Sequence, residues 1–554
     1  MIATTLYAGS VTRRPSKELQ LDLTLAGALA LFTFLVIVAT ANDIGITYDE
    51  PVYAGEAMRA QEWLGEVFRL TSRGEVLAFT KPELIERYWR GKDMQPALLK
   101  WAIALLGPIS SAWLPGLAGF RAATALFAAL MVAATFAAAR VTMSRGSAIG
   151  AAFLLLGLPH VFSLAHLMSL DVPVAAMTTL TTLLCYQAVT RQRLGWWMAA
   201  GLSFGLAVSA KMNGVLVLPA MATWIVIRRE RTRENLLKLG GVAALGFVTF
   251  VATWPFLWID PLDRLGQFMR FHFQHYPVHV YYLGKVHLLA PWHYPLVMIA
   301  ATTPILPLAM MLGGSSWTLT DCVRRRASSP ELLWLLSAGI QIAAFVNPST
   351  PKYNGVRLFV AAFPFLCLLA GRAFEWALSL PLTARLKAQP RVLVPLWLLA
   401  LTPSLTATVG SHPFGMSFYN GLVGGTRYAP FEPTFWGDAY FHTLPYLNEH
   451  VPKNGAVCVL PDSVVWLFDY YRNLGMLRQD IRAVANWEEG DYVVFHTRQS
   501  EMPPLAHTLY GTARRAFNVR HEGRALAVVV RQSEVKWAVE RDRLRGVKKN
   551  SARP

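Results

Sequence analysis

Charge is scarce in this sequence. Only 16% of its 554 residues are Asp, Glu, Lys or Arg, and 54% are hydrophobic, whereas a soluble domain carries about a quarter charged residues. That shortage excludes an ordinary soluble protein. Cysteine is also rare. Cys185, Cys322, Cys367 and Cys458 stand far apart with no CxxC pair, which argues against a disulfide framework and a zinc site. No Asn-x-Ser/Thr acceptor occurs, because Asn347-Pro348-Ser349 is disqualified by its proline. For a large external region this favours a bacterial periplasm over the endoplasmic reticulum. Internal repeats and low-complexity segments are missing too. Acidic residues are outnumbered, giving a net charge of +18. In a membrane protein such an excess follows from cytoplasmic Lys and Arg that set topology, and does not require nucleic acid.

What is present is a series of long apolar runs. The first spans about Leu21 to Ala41 behind Arg13, Arg14 and Lys17. Ala39-Thr40-Ala41 resembles a signal-peptide cleavage site, but the run is longer than a signal-peptide core and reads as a retained span. Further runs lie near 119–139, 147–166, 171–189, 195–210, 213–227, 237–258, 291–313, 331–347, 355–376 and 392–410. The sum is about eleven transmembrane helices. With the amino terminus inside, the inside loops hold Arg140 and Arg145, Arg191 and Arg193, Arg228 to Arg233, Arg324 to Arg326, and Arg385 to Arg391. This obeys the positive-inside rule; the outside loop 259–290, with Arg264, Arg270 and Lys285, departs from it mildly.

The reading divides the chain into a cytoplasmic 1–20, a membrane module 21–410 with a first external loop 42–118, and an external region 411–554. The segment 94–116 reads as an interfacial helix, broken by Lys100, prolines and glycines. "GAVCVLP", "DYVVFHT" and "ALAVVVRQ" read as strands and "DSVVWLFDYYRNLGM" as a helix, so a small α/β domain is expected outside the membrane. The charged last stretch, from Val535, is expected to fray.

Candidate chemistry collects at the outer ends of spans. Asp49 and Glu50 sit side by side about eight residues past the first run. An isolated acidic pair is more often a solvated loop, but at the water line each carboxylate raises the other's proton affinity, which suits a general base. Asp171 begins a run and reads equally as a helix-start acid or a site residue. Lys211, Lys352 and Arg357 lie at the same outer level; snorkelling is the ordinary reading, a phosphate clamp the functional one. His272, His275 and His279 have helical spacing, but no carboxylate or cysteine completes a metal set and Pro277 interrupts it, so an interfacial aromatic belt is the preferred reading.

The ordered landmarks "TYDEPVY", "LDVPVA", "SAKMNGVLVLP", "PWHYPLVMIAATTPILPL" and "KYNGVRLFVAAFPFLCLLAG" resemble the GT-C membrane glycosyltransferases, specifically the dolichyl-phosphate-mannose protein mannosyltransferase and aminoarabinose transferase group. "FYNGLVGGTRYA" resembles bacterial members with an appended external domain. The resemblance covers most of residues 20–430 and implies an inverting transfer of a sugar from a polyprenyl phosphate to a protein, lipid or glycan acceptor on the external face. It implies a multi-pass inner-membrane protein with its active site toward the periplasm. Asp49 would be the base with Glu50 beside it, Asp171 a second acid, and Lys211, Lys352 and Arg357 the phosphate ligands. No Asp-x-Asp stands in the first external loop, so neither metal nor other cofactor is expected, and nucleic acid is not an expected partner. The alternatives are a polyprenyl-lipid flippase or transporter, which would hold its charges near the bilayer middle, and an assembly factor binding a partner through its external domain.

Overall fold

The computed structural model describes residues 17–91, 94–274, 276–325, 329–379 and 390–551. Among them every apolar run is helical. Five helices are long and apolar enough to cross a membrane: Lys17–Ala39, Ala118–Ala139, Asp171–Arg191, Thr232–Thr253 and Arg357–Ser379. Arg145–Leu156 and Pro159–His166 reach that length and apolarity only together, and meet at 68°. Proline at the first turn of the second piece has no N–H to continue the ladder and forces the preceding residue out of the helical region; Leu158 is accordingly extended. The run at 291–313 splits in the same way, into Tyr294–Thr302 and Ile305–Arg325 around Pro304. Leu98–Ser111, Leu194–Ala210, Met212–Arg228 and Pro330–Ala343 are apolar but shorter than a straight span. The runs read as about eleven spans are therefore all helical, but only some are full-length.

Small residues close the bundle. Leu194–Ala210 packs on Asp171–Arg191 and on Thr232–Thr253. A Cβ on Gly205 would lie 2.6 Å from the Gly246 carbonyl oxygen, and one on Gly246 would run into the Phe204 ring, so glycine at both positions lets the two helices approach this closely. Lys17–Ala39 lies at the periphery, with only Leu29, Thr33 and Ile37 buried. At its start Asp22 pairs with Arg140 at 3.1 Å and Arg145 at 2.6 Å, which fixes the basic end of the bundle.

At the opposite end, Glu50–Ser72, Pro82–Trp89 and Leu98–Ser111 form the loop expected from the sequence to be the first external one. Trp63 makes edge-to-face contacts with Trp89 and Trp101, both at 5.8 Å, and with Trp258 at 5.9 Å. These rings bind the loop to the 255–268 segment. Lys100, read from the sequence as a helix breaker, is buried within its helix instead. Its ammonium meets Glu56 at 2.5 Å and the Gln95 carbonyl at 2.8 Å, so the charge is neutralised where it is desolvated.

The C-terminal region, expected from the sequence to be an external domain, forms a five-stranded sheet. A small hairpin, β1 (Val280–Tyr282) and β2 (Lys285–His287), precedes it. The sheet's strands are β3 (Ala456–Leu460), β4 (Arg482–Val484), β5 (Tyr492–His496), β6 (Arg515–His521) and β7 (Arg524–Arg531). Their order is β4-β3-β5-β7-β6, with β3 parallel to β4 and β5, and β7 antiparallel to β5 and β6. The three strands and the helix (Val465–Asn473) read from the sequence are present; β4 and β6 are additional. The tail expected to fray is a helix, Gln532–Ser551, because Val535 and Ala538 are fully buried against the sheet. The domain is fastened to the first external loop: the Ile46 N–H donates to Tyr471 Oη at 2.9 Å and the Tyr48 N–H to the Trp436 carbonyl at 3.1 Å.

Candidate active site

Asp49 immediately precedes the helix Glu50–Ser72, yet its carboxylate makes no capping hydrogen bond. It turns instead into a cavity of 470 Å³ at the end of the bundle away from Asp22 and Arg140. There Arg357 Nη2 donates to Asp49 Oδ2 at 2.9 Å. The same guanidinium donates through Nε to Asp171 Oδ2 at 3.1 Å, and Lys211 Nζ donates to Asp171 Oδ1 at 2.6 Å. A continuous chain of alternating charge results: Asp49, Arg357, Asp171, Lys211. Its exposure is graded, since the Asp49 side chain is 34% exposed and that of Asp171 only 1%. Asp49 and Arg357 line the cavity, while Asp171 and Lys211 stand behind and hold Arg357.

Trp436 covers the other side of Arg357. The guanidinium carbon lies 3.4 Å from its ring centre, a cation–π contact within a desolvated site. Trp436 adopts φ +58° and Gly437 φ +84°. A tryptophan in the left-handed region is strained, and here the strain faces the ring toward Arg357. Gly437 has no alternative, because a Cβ there would run into the Tyr48 ring.

Two residues read as part of the site have other work. Glu50 is fully buried and bound to Arg121, Nε to Oε1 and Nη2 to Oε2, both at 2.8 Å. It also accepts the N–H groups of Thr47 at 2.8 Å and Met168 at 3.0 Å. Arg121 in turn donates to the carbonyls of Ala41, Ile44 and Gly45. Glu50 therefore anchors the 41–50 loop and does not line the cavity. Lys352 is buried and donates to the carbonyls of Asn347 at 2.7 Å and Thr350 at 2.8 Å within its own loop. It is not in the cavity wall.

The external domain supplies residues that the sequence reading missed. Arg498 and Glu501 line the same cavity and pair at 2.9 Å. They follow the carboxyl end of β5, which is where α/β sheets place ligand contacts. Glu432 secures their loop: it is buried and accepts the N–H groups of Gln499 at 2.7 Å, Ser500 at 3.1 Å and Tyr281 at 3.1 Å. Burial pushes its carboxyl up. Of the three histidines, His275 lies outside the described residues, and His272 Nδ1 meets the Phe268 carbonyl at 2.9 Å. Among the described residues no cluster of three His, Cys, Asp or Glu side chains offers a metal site.

Residues 94–254 match the family model described as dolichyl-phosphate-mannose-protein mannosyltransferase. The match includes Asp171 and Lys211 and stops short of Asp49 and Arg357. The comparison with curated proteins gives no match. Among solved structures, ArnT from Cupriavidus metallidurans, bound to undecaprenyl phosphate, aligns at 17% identity over 92% of this chain and 97% of its own, with a TM-score of 0.46. The Archaeoglobus fulgidus oligosaccharyltransferase aligns at 13% identity over 85% of this chain and 69% of its own, with a TM-score of 0.49. The family match covers 161 of the 554 residues, less than a third of the chain. Within those residues the likeness is to the protein mannosyltransferase model, one of the two branches that the sequence landmarks resemble.

Proposed function

We propose that this chain transfers a sugar from a polyprenyl-phosphate donor to an acceptor hydroxyl, with inversion, on the non-cytoplasmic face of the bacterial inner membrane. The reading rests on one observation: Asp49, partly exposed in a cavity at the end of the bundle away from Asp22 and Arg140, is held by a buried arginine. A polyprenyl tail stays in the bilayer, so its phosphate is confined to that level.

The chemistry follows from the arrangement. Cleavage at the anomeric carbon passes through an oxocarbenium-like state in which charge builds on the departing phosphate. That phosphate is a weak base and needs a cation more than a proton. Arg357 supplies it, oriented by Asp171 and Lys211. A donor phosphate reaching Arg357 competes with Asp49 for the same guanidinium and leaves the Asp49 carboxylate available. Asp49 then takes the proton from the acceptor hydroxyl as the new bond forms on the opposite face of the sugar. General-base assistance contributes about 10²- to 10⁴-fold.

The test is transfer from radiolabelled polyprenyl-phosphate sugar by the purified full chain in liposomes, wild type against Asp49→Asn. Asp49→Asn is expected to lose about 10²- to 10⁴-fold in rate with an unchanged melting temperature. An undiminished rate removes Asp49 from the mechanism.

A further inference from the structure

A second cavity, of 460 Å³, adjoins the first. Its wall consists of Tyr48, Pro461, Ser463, Val464, Trp466 and Glu501. Tyr48 and Glu501 also line the Asp49 cavity, so the two spaces share one partition, and Tyr48 directly precedes Asp49 in the chain. Everything else in the second wall belongs to the external domain.

Its place in the sheet is informative. β3 and β5 run parallel and in register, Leu460 beside Phe495. The 461–466 segment leaves the carboxyl end of β3, and Arg498 and Glu501 follow the carboxyl end of β5. Tyr440 fixes this edge: its hydroxyl donates to the Leu460 carbonyl at 2.6 Å and accepts from the His496 N–H at 3.2 Å. A crevice beyond the carboxyl ends of adjacent parallel strands is where such sheets bind ligands.

The lining chemistry narrows the ligand. The wall carries a carboxylate, a serine hydroxyl and a tyrosine, and no lysine, arginine or histidine. An anionic headgroup or phosphate finds no partner there. Trp466 is 39% exposed, and its negatively polarised face suits the C–H face of a pyranose ring, while Glu501 and Ser463 suit sugar hydroxyls. From this we infer that the second cavity is the acceptor subsite and that it binds a neutral saccharide, delivering one hydroxyl past Tyr48 and Glu501 to Asp49. The inference deepens the glycosyltransferase reading and rests on it for the word acceptor.

Two measurements separate the ideas. Detergent-solubilised full chain is applied to an immobilised array of neutral oligosaccharides of defined composition. Wild type is expected to bind a subset of them, Trp466→Ala to lose at least tenfold in signal, and Trp466→Tyr to recover most of it. In the transfer assay with a bound saccharide as acceptor, Trp466→Ala is expected to raise the acceptor KM about tenfold with kcat within twofold. No saccharide bound by wild type, or equal binding by Trp466→Ala, overturns the subsite. Saccharide binding that depends on Trp466, without transfer from any polyprenyl-phosphate sugar, supports the saccharide site and overturns the glycosyltransferase reading alone.

Discussion

Where the chain enters the helix at residues 49 and 50, consecutive side chains leave the backbone roughly 100° apart. One carboxylate therefore faces the cavity while its neighbour faces the bundle. The inward one, Glu50, is a fully buried ion with a fully buried partner. Removing one member of such a pair strands the other charge, at a cost of about 3–5 kcal/mol. Glu50→Gln is thus expected to lower the melting temperature and the yield of inserted protein, whereas Asp49→Asn is expected to spare both. Thermal unfolding of the two variants side by side checks this. Asp438 gives a pH-dependent case. Burial raises its pKa to about 7, against about 3.9 unfolded. The native state therefore binds a proton between about pH 4 and 7 that the unfolded state has released. Its contribution to stability is intact below about pH 4 and is lost as pH rises to about 7. Relative to Asp438→Asn, wild type should lose stability between about pH 4 and 7, by at most about 1.4 kcal/mol per pH unit, and no further above that. A constant difference between the two unfolding curves would contradict this.

At the scale of elements, the decisive piece is the 434–438 loop. It places Trp436 on Arg357 and its carbonyl on the Tyr48 N–H, and it does so with two consecutive residues at positive φ. Gly437→Ala adds a Cβ against Tyr48 in a conformation alanine resists. Transfer activity is expected to fall at least tenfold while the sheet stays folded, measured by activity together with circular dichroism. Wild-type activity in Gly437→Ala would mean that the Trp436 contact does not matter. The parallel pair β3 and β5 acts at the same scale: one edge of one sheet supplies Arg498 and Glu501 to the first cavity and Ser463 and Trp466 to the second.

For the whole molecule, the C-terminal domain forms part of the wall of the Asp49 cavity. Ending the chain at residue 430 removes Trp436, Arg498 and Glu501 from the cavity wall. Transfer is expected to drop to background, beyond any change in acceptor choice; truncated protein that still transfers sugar at a wild-type rate would separate the domain from catalysis. The orientation is tested by impermeant maleimide on single cysteines. One at Glu75 should be labelled in intact cells, and one at Glu230 only after permeabilisation. Both positions are exposed, so a reversed pattern would place Asp49 in the cytosol and end the proposal.

The sequence by itself determined the helical runs, the basic end and the three principal strands, because apolar periodicity and charge scarcity act locally along the chain. It also pointed to Asp49, Asp171, Lys211 and Arg357 as outer-end charges. It could not decide which carboxylate of the 49–50 pair was free, because that depends on Arg121, some 70 residues on. Nor did it separate Lys352, which bonds its own loop, from Arg357, which bonds Asp49 and Asp171. Trp436, Arg498 and Glu501 were beyond its reach. Their role follows from long-range packing of the external domain on the first loop, and no local pattern carries a contact that exists only when nearly 400 residues of chain have folded back onto Asp49.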